Sequence, residues 1–167
     1  AISVPLGVCT AVYLTEYTRE TRVTRLLSFG IDCLAGIPSS IFGLFGFIFF
    51  VVMLRMGWCL LSGGIVLAIM ILPTIIRTSE EAIRAVPSSL RLASYGLGAT
   101  KWQTIWHHVL PQALPGVLTG TILAMSRAIG ETAPLLVVGA STLILFDPSR
   151  PFSKFTVLPI QLYEWTS

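Results

Sequence analysis

The chain has 167 residues, 54% of them hydrophobic and only 11% charged, with a net charge of +3 and a mean hydropathy of +0.82. Soluble domains carry about 25% charged residues, so most of this surface is excluded from facing water. The small positive balance contains no basic run, which excludes the electrostatic footprint of a nucleic-acid-binding protein.

In chain order, Ile2–Leu14 is apolar and reads as a span. It has neither a basic leader nor a small-residue cleavage site, and so does not read as a signal peptide. It reads as the last part of a spanning helix, and the final PIQLYEWTS stops in mid-pattern. A fragment is therefore expected, with at least one further span before Ala1 and another after Ser167. Glu16–Arg25 is a charged loop. Leu26–Leu54 is a helical segment interrupted at Pro38, with a tight turn near Met56-Gly57. Trp58–Ile76 is the next span, followed by a large polar connection over Thr78–Leu110, a span over Gln112–Gly130 and a partly apolar tail over Thr132–Ser167. No Asp, Glu, Lys or Arg occurs between Asp32 and Arg55 or between Arg55 and Arg77. Each gap is about the twenty residues needed to cross a hydrocarbon core. A single all-α, polytopic transmembrane domain follows.

Small residues recur where spans touch. Gly116 and Gly120 form a G-x-x-x-G step, and Gly64 and Ala68 repeat the spacing. Such steps let helices approach closely in lipid, either inside one subunit or across two. Cys9, Cys33 and Cys59 share no metal-like or disulfide-like spacing and read as small buried hydrophobes. The adjacent His107 and His108 have no acidic or thiol ligand at helical spacing, so no metal set is assigned. Asp32 reads as a helix cap or an interfacial residue in preference to a pore-lining group.

The connection is patterned. Ser79, Glu80, Glu81 and Ala82 read as the start of a short helix, with acids at its positive end. Pro87 stops it, and Ser88 is placed to cap a second helix carrying Leu90, Leu92 and Ala93. Gly96 and Gly98 permit a reversal, and Thr100 caps a third helix with Trp102, Ile105, Trp106 and Val109 at helical spacing. An apolar ridge among charges suits docking into a partner's groove. The stretch from Gly96 to Lys101 lacks the G-x-x-x-x-G-K-[ST] spacing of a phosphate loop, so nucleotide is expected on another polypeptide. Arg19, Arg22, Arg25, Arg77, Arg84, Arg91 and Lys101 fall on one set of loops, against Arg55, Arg150 and Lys154 on the other. Cationic loops favour the cytoplasm, which puts the connection there.

The connection resembles the cytoplasmic loop of bacterial ABC-transporter permeases, whose signature is Glu-Ala-Ala, then Gly, then Ile-x-Leu-Pro. Ala93, Gly98, Leu110 and Pro111 match it, whereas Leu92 stands in place of the Glu and His108 in place of the Ile. Arg127-Ala-Ile-Gly-Glu131-Thr-Ala-Pro134 looks like the R-x-x-G-E-T-A-P motif of phosphate-transporter permeases. With LAGIPSSIFGLFG (Leu34–Gly46) and LPTIIRTSEEAIRAVPSSL (Leu72–Leu90), it points to the A-type, PstA-like subunits of the MetI-like superfamily. The resemblance implies the type I importer permease fold and a non-enzymatic pore subunit of the bacterial cytoplasmic membrane. Glu81, Ala93, Gly98, Leu110 and Pro111 would couple it to the ATPase. The resemblance further implies a homologous permease subunit (PstC-like), an ATPase dimer (PstB-like) and an extracytoplasmic phosphate-binding protein (PstS-like). ATP and Mg would reside on the ATPase and no cofactor on this chain.

Arg127 and Glu131 lie four residues apart on one helical face at the end of an otherwise uncharged span. Ionisable groups at membrane depth are costly and either pair or line a polar path. An intrahelical ion pair is one reading and an anion pathway with Thr132 alongside is the other. A guanidinium fork matches two phosphate oxygens, and hydrogen phosphate keeps a proton for Glu131 that sulfate lacks. A permease for molybdate or sulfate is the nearest alternative function. An intramembrane enzyme finds no nucleophile–base pair here, and a passive scaffold is the remaining option.

Overall fold

The computed structural model describes residues 2–18, 21–55, 59–138, 156–157, 160, 162 and 165–166, and these form helices and the turns between them, without a strand. The turn at Met56-Gly57 and most of the tail lie outside the described residues. Helix α1 (Ser3–Val12) passes into a π-helical stretch, Tyr13–Tyr17, that ends where Thr18 turns to extended backbone. Helix α2 (Arg22–Gly36) and helix α3 (Ser39–Gly46, continued by Phe47–Met53) are separated at Ile37 and Pro38. A residue before proline is driven out of helical backbone, and the break falls where Pro38 requires it.

Helix α4 (Leu60–Arg84) contains Pro73. Helix α5 (Ser88–Gly96) is short. Helix α6 (Lys101–Thr104) runs through a π-helical stretch, Ile105–Val109, into α7 (Leu110–Gly130), and α8 (Ala133–Val138) follows a two-residue break. Two helices, Leu60–Arg84 and Lys101–Gly130, are long and apolar enough to cross a membrane, or three if the pair broken at Pro38 counts as one span. Threonine hydroxyls on these helices bond back to carbonyls four residues earlier, as in Thr78 to Thr74 (3.0 Å), Thr119 to Pro115 (2.9 Å) and Thr121 to Val117 (2.8 Å). That bond satisfies a polar group where no water is at hand.

The sequence reading of the connection needs correcting in three places. Ser79–Ala82 does not start a helix, because α4 continues without interruption to Arg84. Its acids therefore sit near the negative end of α4, where Glu80 is held by an arginine instead of by the helix dipole. Ser88 supplies no side-chain cap to α5. The helix capped by Thr100 does not stop at Leu110 but becomes the next span, with Pro111 and Pro115 inside it. Thr100 itself caps as expected: its Oγ1 accepts from Gln103 N–H, and Gln103 Oε1 accepts from Thr100 N–H.

The chain forms two compact units. In the unit comprising Ala1–Asp32 and Leu72–Ala124, Ala11, Ile83, Val86, Val109, Ala113 and Val117 form the core. Here α7 turns its small residues inward (Ala113, Val117, Gly120, Ala124) and leaves Leu114, Leu118, Ile122 and Leu123 exposed. That arrangement suits a helix in lipid, where large apolar groups gain little by burial and close backbone contact gains more. A Cβ on Gly116 would meet Ala82, and one on Gly120 would meet the Thr78 side chain, so this glycine step packs inside the subunit. A Cβ on Gly64 would meet nothing within 4 Å among the described residues.

In the other unit, Cys33–Ile71 with Met125–Ser167, Phe42, Phe50, Val66, Met70 and Val138 form the core. Gly43 lets α3 approach the Pro134 backbone of α8, and Gly46 admits the Val66 and Val138 side chains. Of the cysteines, Cys59 is buried as expected, whereas Cys9 and Cys33 are exposed. No element among the described residues covers them, a feature their apolar neighbours in sequence do not disclose.

Candidate functional site

The polar connection is held by two arginines. Arg91, on α5, sends Nη1 to Val86 O (2.7 Å) and Nη2 to Ile83 O (3.0 Å), carbonyls at and just beyond the end of α4, of which Ile83 O also accepts from Val86 N (3.3 Å). Its Nε and Nη2 both reach Glu16 Oε1, at 3.1 and 2.8 Å. One side chain thus caps α4, anchors α5 and ties both to the end of α1. The Glu16 side chain is only 9% exposed, so this carboxylate depends on its partner. Arg77 makes the second cluster: Nη1 to Glu80 Oε2 at 2.6 Å, Nη2 to Ser28 O at 2.6 Å, and Nε 2.7 Å from Asp32 Oδ1. The Nε contact lacks hydrogen-bond direction and acts through charge alone. Asp32, inside α2, is therefore an ion-pair partner of Arg77 and does not start a helix.

The expected coupling residues separate by exposure. Glu81, Ala93, Gly98 and Pro111 are exposed, and Leu110 is half-buried. Glu81 lies on the last turns of α4, Ala93 on α5, Gly98 in the following turn, and Leu110 and Pro111 at the start of α7. Gly98 has φ +81°, a conformation open to glycine at little cost. Gly98→Val should lower stability by about 1–2 kcal/mol, read as a drop in the thermal midpoint of the purified protein. The turn also brings Ser94 Oγ within 2.9 Å of Thr104 Oγ1, closing α5 against α6. Leu92, Leu97, Trp102 and Trp106 are all exposed, and the two tryptophan rings stack at 5.6 Å and 13°. Lys101 Nζ sits 5.1 Å from the Tyr17 ring centroid.

In the other unit, Arg127 Nε lies 3.2 Å from Glu131 Oε1, closing the four-residue step across the end of α7. The arginine side chain is 53% exposed and the glutamate 18%. Among the described residues, Arg127 Nη1 and Nη2 have no partner. Thr132 sits in the break after α7 and caps α8 through its carbonyl, which accepts from Leu135 N (3.1 Å) and Leu136 N (3.0 Å). Among the described residues its side chain makes no hydrogen bond to the Arg127–Glu131 pair.

A family model described as "Binding-protein-dependent transport system inner membrane component" matches residues 3–151. The chain belongs to that family. With its apolar helices, a member of this transport-component family is an integral membrane protein with the MetI-like permease fold. The chain is 41% identical over 163 residues to the phosphate transport system permease protein PstA 1 of Mycobacterium tuberculosis (strain CDC 1551 / Oshkosh), covering 97% of this chain and 53% of the relative. It is 44% identical over 147 residues to PstA of Mycobacterium leprae (strain TN), covering 87% of this chain and 48% of the relative. A Bacillus subtilis (strain 168) protein described as the probable ABC transporter permease YqgI is 37% identical over 161 residues, covering 95% and 55%. The chain thus spans about half the length of the curated relatives it matches. Within this transport-component family member, the sequence reading missed Glu16, Arg77 and Arg91 as organising residues. Glu16 and Arg91 are 75 positions apart, and no local spacing rule links them.

Proposed function

We propose that this chain is part of the membrane permease subunit of an ATP-driven importer of inorganic phosphate. The observation that carries the reading is the half-committed fork of Arg127: Glu131 holds it through Nε alone, and both terminal nitrogens remain for an anion. Two parallel N–H···O bonds from a guanidinium suit a phosphate edge, and Glu131 can accept the remaining proton of hydrogen phosphate. Competition between Glu131 and the anion for one guanidinium keeps binding weak enough for release. The similarity to the mycobacterial phosphate transport system permeases supports the same substrate.

The working machine pairs this subunit with a related permease, an ATPase dimer that binds ATP and Mg, and an external phosphate-binding protein. The connection faces the cytoplasm of a bacterial inner membrane, and α5 with its flanking residues Glu81, Gly98, Leu110 and Pro111 meets the ATPase. Exposed Leu92 and Leu97 offer an apolar ridge in place of the charged contact expected from a Glu at position 92. Arg127→Gln in the full transporter should reduce phosphate uptake into proteoliposomes about tenfold to a hundredfold, the loss of a charge-assisted bond worth about 1.5–3 kcal/mol. The complex should still assemble. Undiminished uptake would remove Arg127 from the pathway, and stronger inhibition of uptake by molybdate or sulfate than by phosphate would change the substrate.

A further inference from the structure

A second basic, hydroxyl-rich site shares no residue with the Arg127–Glu131 pair and is built wholly within the unit comprising Ala1–Asp32 and Leu72–Ala124. It is a pocket of about 320 Å³ between the end of α1, one face of α2 and the last turns of α4. Arg25 and Ser28 come from α2, Arg84 and Glu80 from α4, and Thr18, Thr21 and Thr24 complete the polar wall. A water occupies about 30 Å³ of liquid, so there is room for a tetrahedral oxyanion with part of its hydration shell.

The charge balance selects the ligand. Glu80 is neutralised in place, with Oε2 2.6 Å from Arg77 Nη1 and a side chain only 5% exposed. Arg25 and Arg84 have no ion-pair partner among the described residues, and no described element supplies another carboxylate to the wall. Thr18 already donates its hydroxyl to Tyr13 O, whereas the Ser28 hydroxyl makes no described hydrogen bond. Two arginines, one from α2 and one from α4, together with a hydroxyl donor in the lining of a polar hollow supply the donors of an anion receptor. We propose that this pocket binds a phosphate-type oxyanion between Arg25 and Arg84, with Ser28 Oγ donating to it. The ligand is either free inorganic phosphate or the phosphodiester headgroup of an anionic lipid. The site shares no residue with the Arg127–Glu131 pair and does not depend on the transport reading.

The test uses the full-length permease with its membrane and ATPase partners, without any soluble binding protein. The variant Thr24→Cys is placed in a background with Cys9 and Cys33 changed to alanine, and its alkylation by a neutral maleimide is timed. In nanodiscs of phosphatidylcholine, saturating inorganic phosphate should slow alkylation about fivefold or more, and chloride at equal ionic strength should not. Arg25→Gln with Arg84→Gln should abolish the protection, while the double lysine variant should keep most of it. Protection that needs phosphatidylglycerol and ignores added phosphate assigns the pocket to the lipid headgroup. Ser28→Ala, which removes one hydroxyl and cannot unfold the helix, should weaken the half-protecting phosphate or lipid concentration about threefold to tenfold. Equal alkylation rates with phosphate, with anionic lipid and with neither would overturn the proposal. Persistence of phosphate protection after Arg127→Gln separates this site from the transport pathway, and its loss there would overturn the site's independence.

Discussion

Replacing Arg91 with alanine is expected to destabilise the protein by about 3–5 kcal/mol, the largest effect of any exchange in the connection. The cost comes from what remains, not only from what is removed. Glu16 stays where its side chain is 9% exposed, without another ion-pair partner among the described residues, while Val86 O loses its arginine donor and Ile83 O keeps only the bond from Val86 N. An unpaired buried charge costs more than the net value of the pair it came from. The thermal midpoint of the full-length protein in nanodiscs should fall steeply, and α5 should become open to proteolysis. Arg91→Met combined with Glu16→Leu should recover much of the loss, because apolar groups of similar volume need no partner. If Arg91→Ala alone leaves the midpoint unchanged, the clamp holds nothing.

Gly43→Ala is the second large effect. An added Cβ would lie 2.5 Å from Pro134 Cα and 2.8 Å from Pro134 O, and both are backbone atoms. A side chain can rotate away from an intruder, but the start of α8 cannot, so α3 and α8 must separate. Overpacking of this kind costs about 1–3 kcal/mol and opens space beside Leu135 and Val138, both buried. Gly64→Ala provides the internal control. It adds the same methyl group to a helix with nothing within 4 Å, and should be neutral or stabilising by about 0.5–1 kcal/mol. A thermal-unfolding comparison of the two variants checks the packing, and equal midpoints would contradict it.

Much of this architecture was legible in the sequence because lipid simplifies the rules. Charge-free stretches marked the spans, Pro38 marked the break between α2 and α3, and Thr100 marked a helix start, whereas the reciprocal bond from Gln103 emerged only in the structure. The error in the connection has a physical origin. Ser79, Glu80 and Glu81 resemble a helix beginning, and nothing local says that Arg77 will hold Glu80 while α4 continues. Likewise Leu110-Pro111 reads as a boundary, yet the π-helical stretch at Ile105–Val109 lets the helix pass through it. The Arg127–Glu131 step was visible as a four-residue spacing. The Arg91 clamp was not, since its partners come from distant parts of the chain. Helix α8 also escaped notice, because six residues after a span carry too little periodicity to stand out.

The parallel indoles of Trp102 and Trp106 have an optical consequence. Two such chromophores at 5.6 Å couple their transition dipoles, so the pair should give a bisignate circular-dichroism couplet in the far-ultraviolet. Both rings are more than half exposed, so contact with another protein would perturb that couplet directly. The protein therefore carries its own unlabelled spectroscopic reporter on this surface, and Trp106→Phe should silence it.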